Sequence, residues 1–192
     1  PPPVKACAME HGIPVMQPKR IKRPEAIEEL RGFPAEAYVV AAFGQILSRE
    51  ILDIPPFGSL NIHASLLPKY RGASPIQHVI IDGEERTGIT IMQMDAGIDT
   101  GDILYQKEIG ISAEDNYETL HDKLAALGGE AASEALRLLE AGTAPRTPQV
   151  YGPQYQYASM LSREMSPLDF TKPAQDLVNQ VRGLIPWPCA ST

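Results

Sequence analysis

The chain has 192 residues, with 17 Lys and Arg against 24 Asp and Glu, a formal net charge of −7 and 43% hydrophobic residues. That length makes one domain, or one domain and part of a second, and the aliphatic content with mixed charge excludes wholesale disorder. No uncharged apolar run reaches even half of the ~20 residues that a bilayer span needs, so a membrane protein is excluded, and the acidic balance argues against a general nucleic-acid binder.

Taken in chain order, residues 4–11 read as a short helix stopped by Gly12, and residues 13–16 as a short strand. Pro24 opens a second helix over residues 24–31, with Glu25, Glu28 and Glu29 near its positive end and Gly32 after it. Residues 37–43 (AYVVAAF) form a continuous apolar run, which fits a strand buried on both faces of a parallel sheet. A single helical turn follows at 49–52, and then a strand at 59–63. Ser74-Pro75 opens a helix through residue 81, turned by Asp82-Gly83. Residues 87–94 alternate as a strand, with Ile89 and Ile91 on one face and Thr90 and Met92 on the other. Residues 101–109 read as its hairpin partner. A long helix spans 116–140, with Leu120, Leu124, Leu127, Ala131, Leu138 and Leu139 at helical spacing and Gly128-Gly129 loosening its middle. Residues 144–166 read as loop, and 173–181 as a last helix stopped by Gly183 and Pro186. The alternation predicts an α/β fold with helices on both faces of one sheet, and ligands at the carboxyl ends of its strands.

Several function classes are excluded by spacing. No two glycines lie two apart, so G-x-G-x-x-G cannot occur, and the Gly83/Gly88 pair is followed by Ile89 rather than the Lys of a P-loop. His11, His63, His78 and His121 are scattered, so no metal is expected. Cys7 and Cys189 form neither a disulfide framework nor a zinc spacing, and the expected compartment is the reducing cytoplasm. Eighteen prolines, nearly twice the ~5% average, punctuate the chain instead of forming a tract. Lys19, Arg20, Lys22 and Arg23 are the one basic cluster, either a solvated loop or a surface for an anionic partner.

Three stretches could carry chemistry. In L-N-I-H-A-S-L-L-P-K-Y-R-G (60–72), Asn61 and His63 lie two apart on a strand and face the same way. An amide and an imidazole side by side are donors suited to an oxyanion, or else two strand-end side chains bonded to backbone. In M-Q-M-D-A-G-I-D-T-G-D-I-L (92–104), Asp95, Asp99 and Asp102 either cap turns or supply one carboxylate that orients His63. In F-G-Q-I-L (43–47), the turn after a strand could expose backbone groups to a flat heterocycle, with Ile46 and Leu47 as apolar walls.

The run N-I-H-A-S-L-L-P-K-Y-R-G followed by M-D-A-G-I-D-T-G-D-I-L resembles the formyltransferase family that uses 10-formyltetrahydrofolate. The similarity covers nearly the whole chain, and the paired motifs are specific for the superfamily. Ala64 after His63, T-G-I-T-I-M-Q-M-D, S-P-L-D-F and R-G-L-I-P-W-P-C-A resemble the branch that formylates initiator methionyl-tRNA for translation initiation. The resemblance implies a Rossmann-like, mostly parallel sheet with helices on both faces. It implies Asn61, His63 and Asp99 as catalytic residues, and Ser65, Leu66, Leu67 and Pro68 as the signature loop. It places the pterin of the folate co-substrate against Gly44, Gln45, Ile46 and Leu47 and against the loop of Met94, Asp95 and Ala96 up to Asp99. Asp95 and Asp102 are then turn and framework residues.

The same resemblance implies a catalytic domain over residues 1–183 that lacks the family's first strand and helix and its basic tRNA loop. Residues 184–192 then begin a linker to a C-terminal β-barrel that holds tRNA. The Pro1-Pro2-Pro3 start, without an initiator Met, fits that expectation. The expected partners are initiator methionyl-tRNA and folate, with no membrane and a monomeric state. Acceptor choice leaves two other readings: an enzyme acting on an amino-sugar nucleotide or hydrolysing formyltetrahydrofolate, and a non-catalytic folate-binding fragment.

Overall fold

The computed structural model describes residues 1–150, 152 and 155–192. In chain order the elements are α1 (Pro3–Glu10), α2 (Pro24–Arg31), β1 (Tyr38–Val40), α3 (Arg49–Leu52), β2 (Ser59–His63), β3 (Arg71–Gly72), α4 (Pro75–Ile81), β4 (Arg86–Gln93), β5 (Ile103–Gly110), α5 (Tyr117–Glu140), β6 (Tyr157–Ala158) and α6 (Ala174–Leu184). The main sheet has the order β1-β2-β4-β5, and β3 pairs with β6 in a two-stranded parallel sheet of its own. The α/β class with a Rossmann-like sheet holds. Within the described residues, β1 and β2 make the parallel pair, while β2–β4 and β4–β5 are antiparallel, the latter a hairpin joined by the long loop of residues 94–102.

The two faces of the sheet are covered differently. Ile62 pairs with Ile91, and both face α5, whose Leu120, Leu124, Ala131, Ala135 and Leu139 are buried at helical spacing. Each fully buried leucine side chain contributes roughly 1.5–3 kcal/mol. A reciprocal cap starts α5: Thr119 N donates to Asn116 Oδ1 (3.0 Å) and Asn116 N donates to Thr119 Oγ1 (3.1 Å). The opposite face carries Asn61 and His63, and beside them α2 and α3 pack a small cluster of Ile21, Ile27 and Ile51 against Tyr38.

Several expectations are corrected. Residues 13–16 form no strand, and Pro14 would remove one ladder donor. The 37–43 run yields a strand of only three residues, and Val39 is 45% exposed instead of buried on both faces. Gly128 does not loosen α5, which runs unbroken. A β-carbon there would lie 3.3 Å from Ile62 Cγ2, so its bareness lets the helix seat on the sheet. Gly183 is not a stop either. It lies inside α6, and a β-carbon would crowd Ile81, so it sets the closeness of α6 to α4. The loop expected over 144–166 includes residues 151, 153 and 154, which lie outside the described residues, and its described part contains β6 and a 3₁₀ turn (Arg163–Met165).

Candidate active site

The strand register builds the site. Asn61 sits opposite Met92 and His63 opposite Thr90, while Val40 of β1 flanks Asn61 on its other side. The two side chains share one face and open, with Asp99, into a cavity of about 400 Å³. Phe43, Ile76 and Met94 give it apolar walls, and Gly72 and Gly44 contribute bare backbone. A space of that size with apolar walls and few polar groups fits a flat heterocycle with a reactive substituent.

His63 is 5% exposed and held from two sides. Its Nε2 donates to the carbonyl of Tyr70 at 2.9 Å. Its Nδ1 faces Asp99 Oδ2 at 3.6 Å, an ion-pair distance beyond hydrogen-bond reach. Both ring nitrogens therefore face oxygen acceptors. Nδ1 is the nitrogen whose proton is not committed to a hydrogen bond. Asp99 Oδ2 accepts from Gly72 N at 2.9 Å. Asp99 and Tyr70 both adopt left-handed backbone (φ 53° and 58°), which turns the carboxylate of one and the carbonyl of the other toward the imidazole. Gly72, at φ 118° and packed on β6, occupies a position where no side chain fits.

The loop of Ser65, Leu66, Leu67 and Pro68 does not line this cavity. Thr90 Oγ1 donates to Ser65 O (2.7 Å) and accepts from Leu67 N (3.0 Å) and Gln106 Nε2 (2.9 Å), so the hydroxyl is fully used. Ser65 Oγ donates to Lys69 O at 2.6 Å. Gly88 leaves room for Leu66 on the sheet, and Leu66 and Pro68 face a separate cavity. The loop thus acts as a clamp that sets where Tyr70 presents its carbonyl.

The segment expected to hold a ring divides. Gly44, Gln45 and Met94 line the cavity with Asn61, His63 and Asp99. The Gln45 side chain accepts from Ile21 N at 2.9 Å, so it ties two loops together. Ile46 is 76% exposed, and Leu47 packs against Ile21, Ile27 and Ile51, so neither walls this cavity. Asp95 accepts from Gly97 N (2.9 Å) and from Thr100 Oγ1, closing a turn, and neither Asp95 nor Ala96 reaches the cavity.

Sequence reasoning missed Tyr70, Arg71, Gln149, Tyr117 and His121. Tyr117 and His121 lie one helical turn apart on α5 and line the cavity, a spacing visible in the sequence. Arg71 is buried. Burial lowers the pKa of its guanidinium, and the carboxylates of Asp99 and Asp95 oppose that effect. Burial raises the pKa of the Tyr70 hydroxyl, with the charges of Asp82 and Glu84 adding to it, so the hydroxyl stays a neutral donor to Glu84 (3.2 Å). Among the described residues no group of three or more His, Cys, Asp or Glu could hold a metal ion, and no helix is long and apolar enough to cross a membrane.

Residues 1–136 match the formyl transferase domain family. The chain is 48% identical over 190 residues to methionyl-tRNA formyltransferase of Agathobacter rectalis, covering 99% of this chain and 61% of that protein. It is 50% identical over 192 residues to the methionyl-tRNA formyltransferase of Geobacter sulfurreducens, covering all of this chain and 60% of that protein. The chain thus spans about 60% of the length of the curated relatives it matches. Among solved structures, the sugar 3N-formyl transferase WlaRD superposes with a TM-score of 0.76 at 22% identity, over 95% of this chain and 62% of that one. HypX of Aquifex aeolicus, solved with tetrahydrofolic acid, superposes with a TM-score of 0.73 at 19% identity, over 88% of this chain and 29% of that one. At these identities the structural matches speak to the fold.

Proposed function

The chain belongs to the formyl transferase family, and on that premise we propose that it carries the catalytic centre of a methionyl-tRNA formyltransferase, moving a formyl group from 10-formyltetrahydrofolate to the methionine amine of initiator tRNA. The observation that carries this reading is the meeting of Asn61, His63 and Asp99 around one cavity. The tRNA acceptor is supported by identities of 48–50% to enzymes so named, against 22% to the sugar enzyme.

In this reading the methionine amine attacks the formyl carbon, whose oxygen gains negative charge as the carbon becomes tetrahedral. The Asn61 amide and the uncommitted Nδ1–H of His63 donate to that oxygen. Tyr70 O fixes the ring through Nε2, and the Asp99 carboxylate faces Nδ1 from the other side. The new C–N bond forms, the bond from carbon to the folate nitrogen breaks, and the proton lost by the amine is balanced by one gained at the leaving nitrogen. Asp99 is the base within reach of that proton, directly or through one water. Phe43, Ile76 and Met94 give the reacting carbon apolar walls.

The test is a formylation assay on the protein that carries this chain, with charged initiator tRNA and an amino-sugar nucleotide offered separately. Formylmethionyl-tRNA alone is the expected product. Formylated sugar, or formate released without an acceptor, would replace this reading with a sugar transferase or a hydrolase. Folate binding without turnover would make the site a binding module.

A further inference from the structure

We infer that Gln149 is a positioning residue for Asp99, acting through the main chain of the turn that presents it; this rests on the reaction proposed above. The inference starts from the register. Ile103 and Thr147 form an isolated antiparallel bridge with both backbone hydrogen bonds made (2.9 and 3.0 Å). Two residues outward on each strand, that register sets Gln149 opposite Gly101. Here the side chain continues the ladder. Gln149 Nε2 donates to Gly101 O (2.6 Å) and to Asp99 O (3.1 Å). Its Oε1 accepts from Arg71 Nε (3.0 Å) and from a terminal guanidinium nitrogen of Arg71 (2.6 Å). Both ends of the carboxamide are therefore used, and its direction is set by partners that can only accept on one side and only donate on the other.

The consequence for the site is mechanical. The two-residue strand β3 grips the Asp99 turn at two points. Gly72 N holds the carboxylate, and Arg71 holds the turn's main chain through Gln149. Asp99 stands at φ 53°, a conformation an Asp keeps only when its surroundings enforce it. The Asp95 bonds close the turn on itself and Gln93 N anchors Asp102 O behind it, while the Gly72 bond fixes one oxygen of the Asp99 carboxylate. Gln149 supplies the second point, so that Oδ2 stays beside His63 Nδ1.

The test uses Gln149→Met, which keeps length and loses every hydrogen bond, in the protein that carries this chain. The expected result is a kcat lowered on the order of 10-fold, within the ~100-fold that a 1 Å displacement near the chemistry can cost, with both KM values held within ~2-fold. In an Asp99→Ala background the same substitution should then cost less than ~2-fold, because the group it positions is gone. Hydrogen exchange at the Gly72 amide, which donates to the Asp99 carboxylate, should rise in Gln149→Met while β4 stays protected. Equal losses in both backgrounds, unchanged exchange, or a variant that no longer folds would each overturn the inference and leave Gln149 as scaffold. If the unaltered protein forms no formylmethionyl-tRNA, the reaction reading fails separately, and the exchange measurement still decides whether Gln149 holds the turn.

Discussion

Within these 192 residues, which span about 60% of the length of the relatives matched, residues 1–58 and residues 59–140 bury their apolar side chains to different extents. In the first region α1 buries no residue, α2 buries Ala26 and Ile27, and α3 buries Ile51 and Leu52. Val4, Met9, Ile13, Phe43 and Ile46 are exposed. In the second, β4 is buried along nearly its whole length and α5 buries six residues against it. Asn61, His63 and Asp99 all belong to the second region, while of the two segments expected to hold a ring, residues 44–47 belong to the first and residues 94–99 to the second. The difference teaches that the reacting groups are set by register and hydrogen bonds inside a packed core. The wall contributed by the first region rests on backbone and a few apolar contacts.

The largest expected effect that tests this contrast is catalytic. Asn61→Ala or His63→Ala should lower turnover by ~100–1,000-fold, as loss of an oxyanion donor does elsewhere. Ile46→Ala, in the first region, should change it by less than ~3-fold, under ~1 kcal/mol of barrier. Single-turnover formylation of initiator methionyl-tRNA measures both, and comparable losses at Ile46 and Asn61 would erase the distinction.

A smaller effect concerns stability. An added methyl at Gly101 would overlap the carbonyl oxygen of Gln93, a backbone atom that cannot swing aside. Gly101→Ala should therefore destabilise by about 2 kcal/mol or more, as overpacking does. Gly12 lies at φ +66° with open space around it, so Gly12→Ala should cost only the left-handed penalty of about 1 kcal/mol. Urea denaturation of the two variants ranks them, and a larger loss at Gly12 would invert the comparison.

The smallest effect is a pH dependence. Burial raises the pKa of the Asp115 carboxyl, but hydrogen bonds from Lys123, Ser112 and Thr119 outweigh it and bring the value down from 3.8 to about 2. A folded value below the unfolded one stabilises fully above the unfolded value and less as pH falls toward the folded one. The stability gap between the unaltered chain and Asp115→Asn should thus be constant above pH 5 and narrow between about pH 4 and 2. Denaturation midpoints across that range check it, and a gap independent of pH would remove Asp115 from the account.

Much of the local structure was readable without coordinates. Pro24 and Pro75 open their helices where a missing N–H costs nothing, and the spacing in 59–63 yields β2 with its true ends. The side-by-side aim of Asn61 and His63 follows from the two-residue pleat alone. The misreadings share one cause. At Gly128 and Gly183 a glycine was taken as a local breaker, when its bareness serves a neighbouring element. Residues 13–16 carry strand composition but meet no partner strand among the described residues, and the 37–43 run pairs with β2 only over Tyr38–Val40.

The sequence by itself determined the element types, the sheet face that carries Asn61 and His63, and, through its paired motifs, the family, because these depend on near neighbours and on residue order. Only the tertiary structure decided that Asp99, from a turn 36 residues beyond His63, stops 3.6 Å from Nδ1. It alone shows that Tyr70 takes Nε2, and that Gln149 and Arg71 hold the turn from behind. Those contacts join segments far apart in the chain, and their distances are set by how closely helix and sheet pack, which no local pattern records.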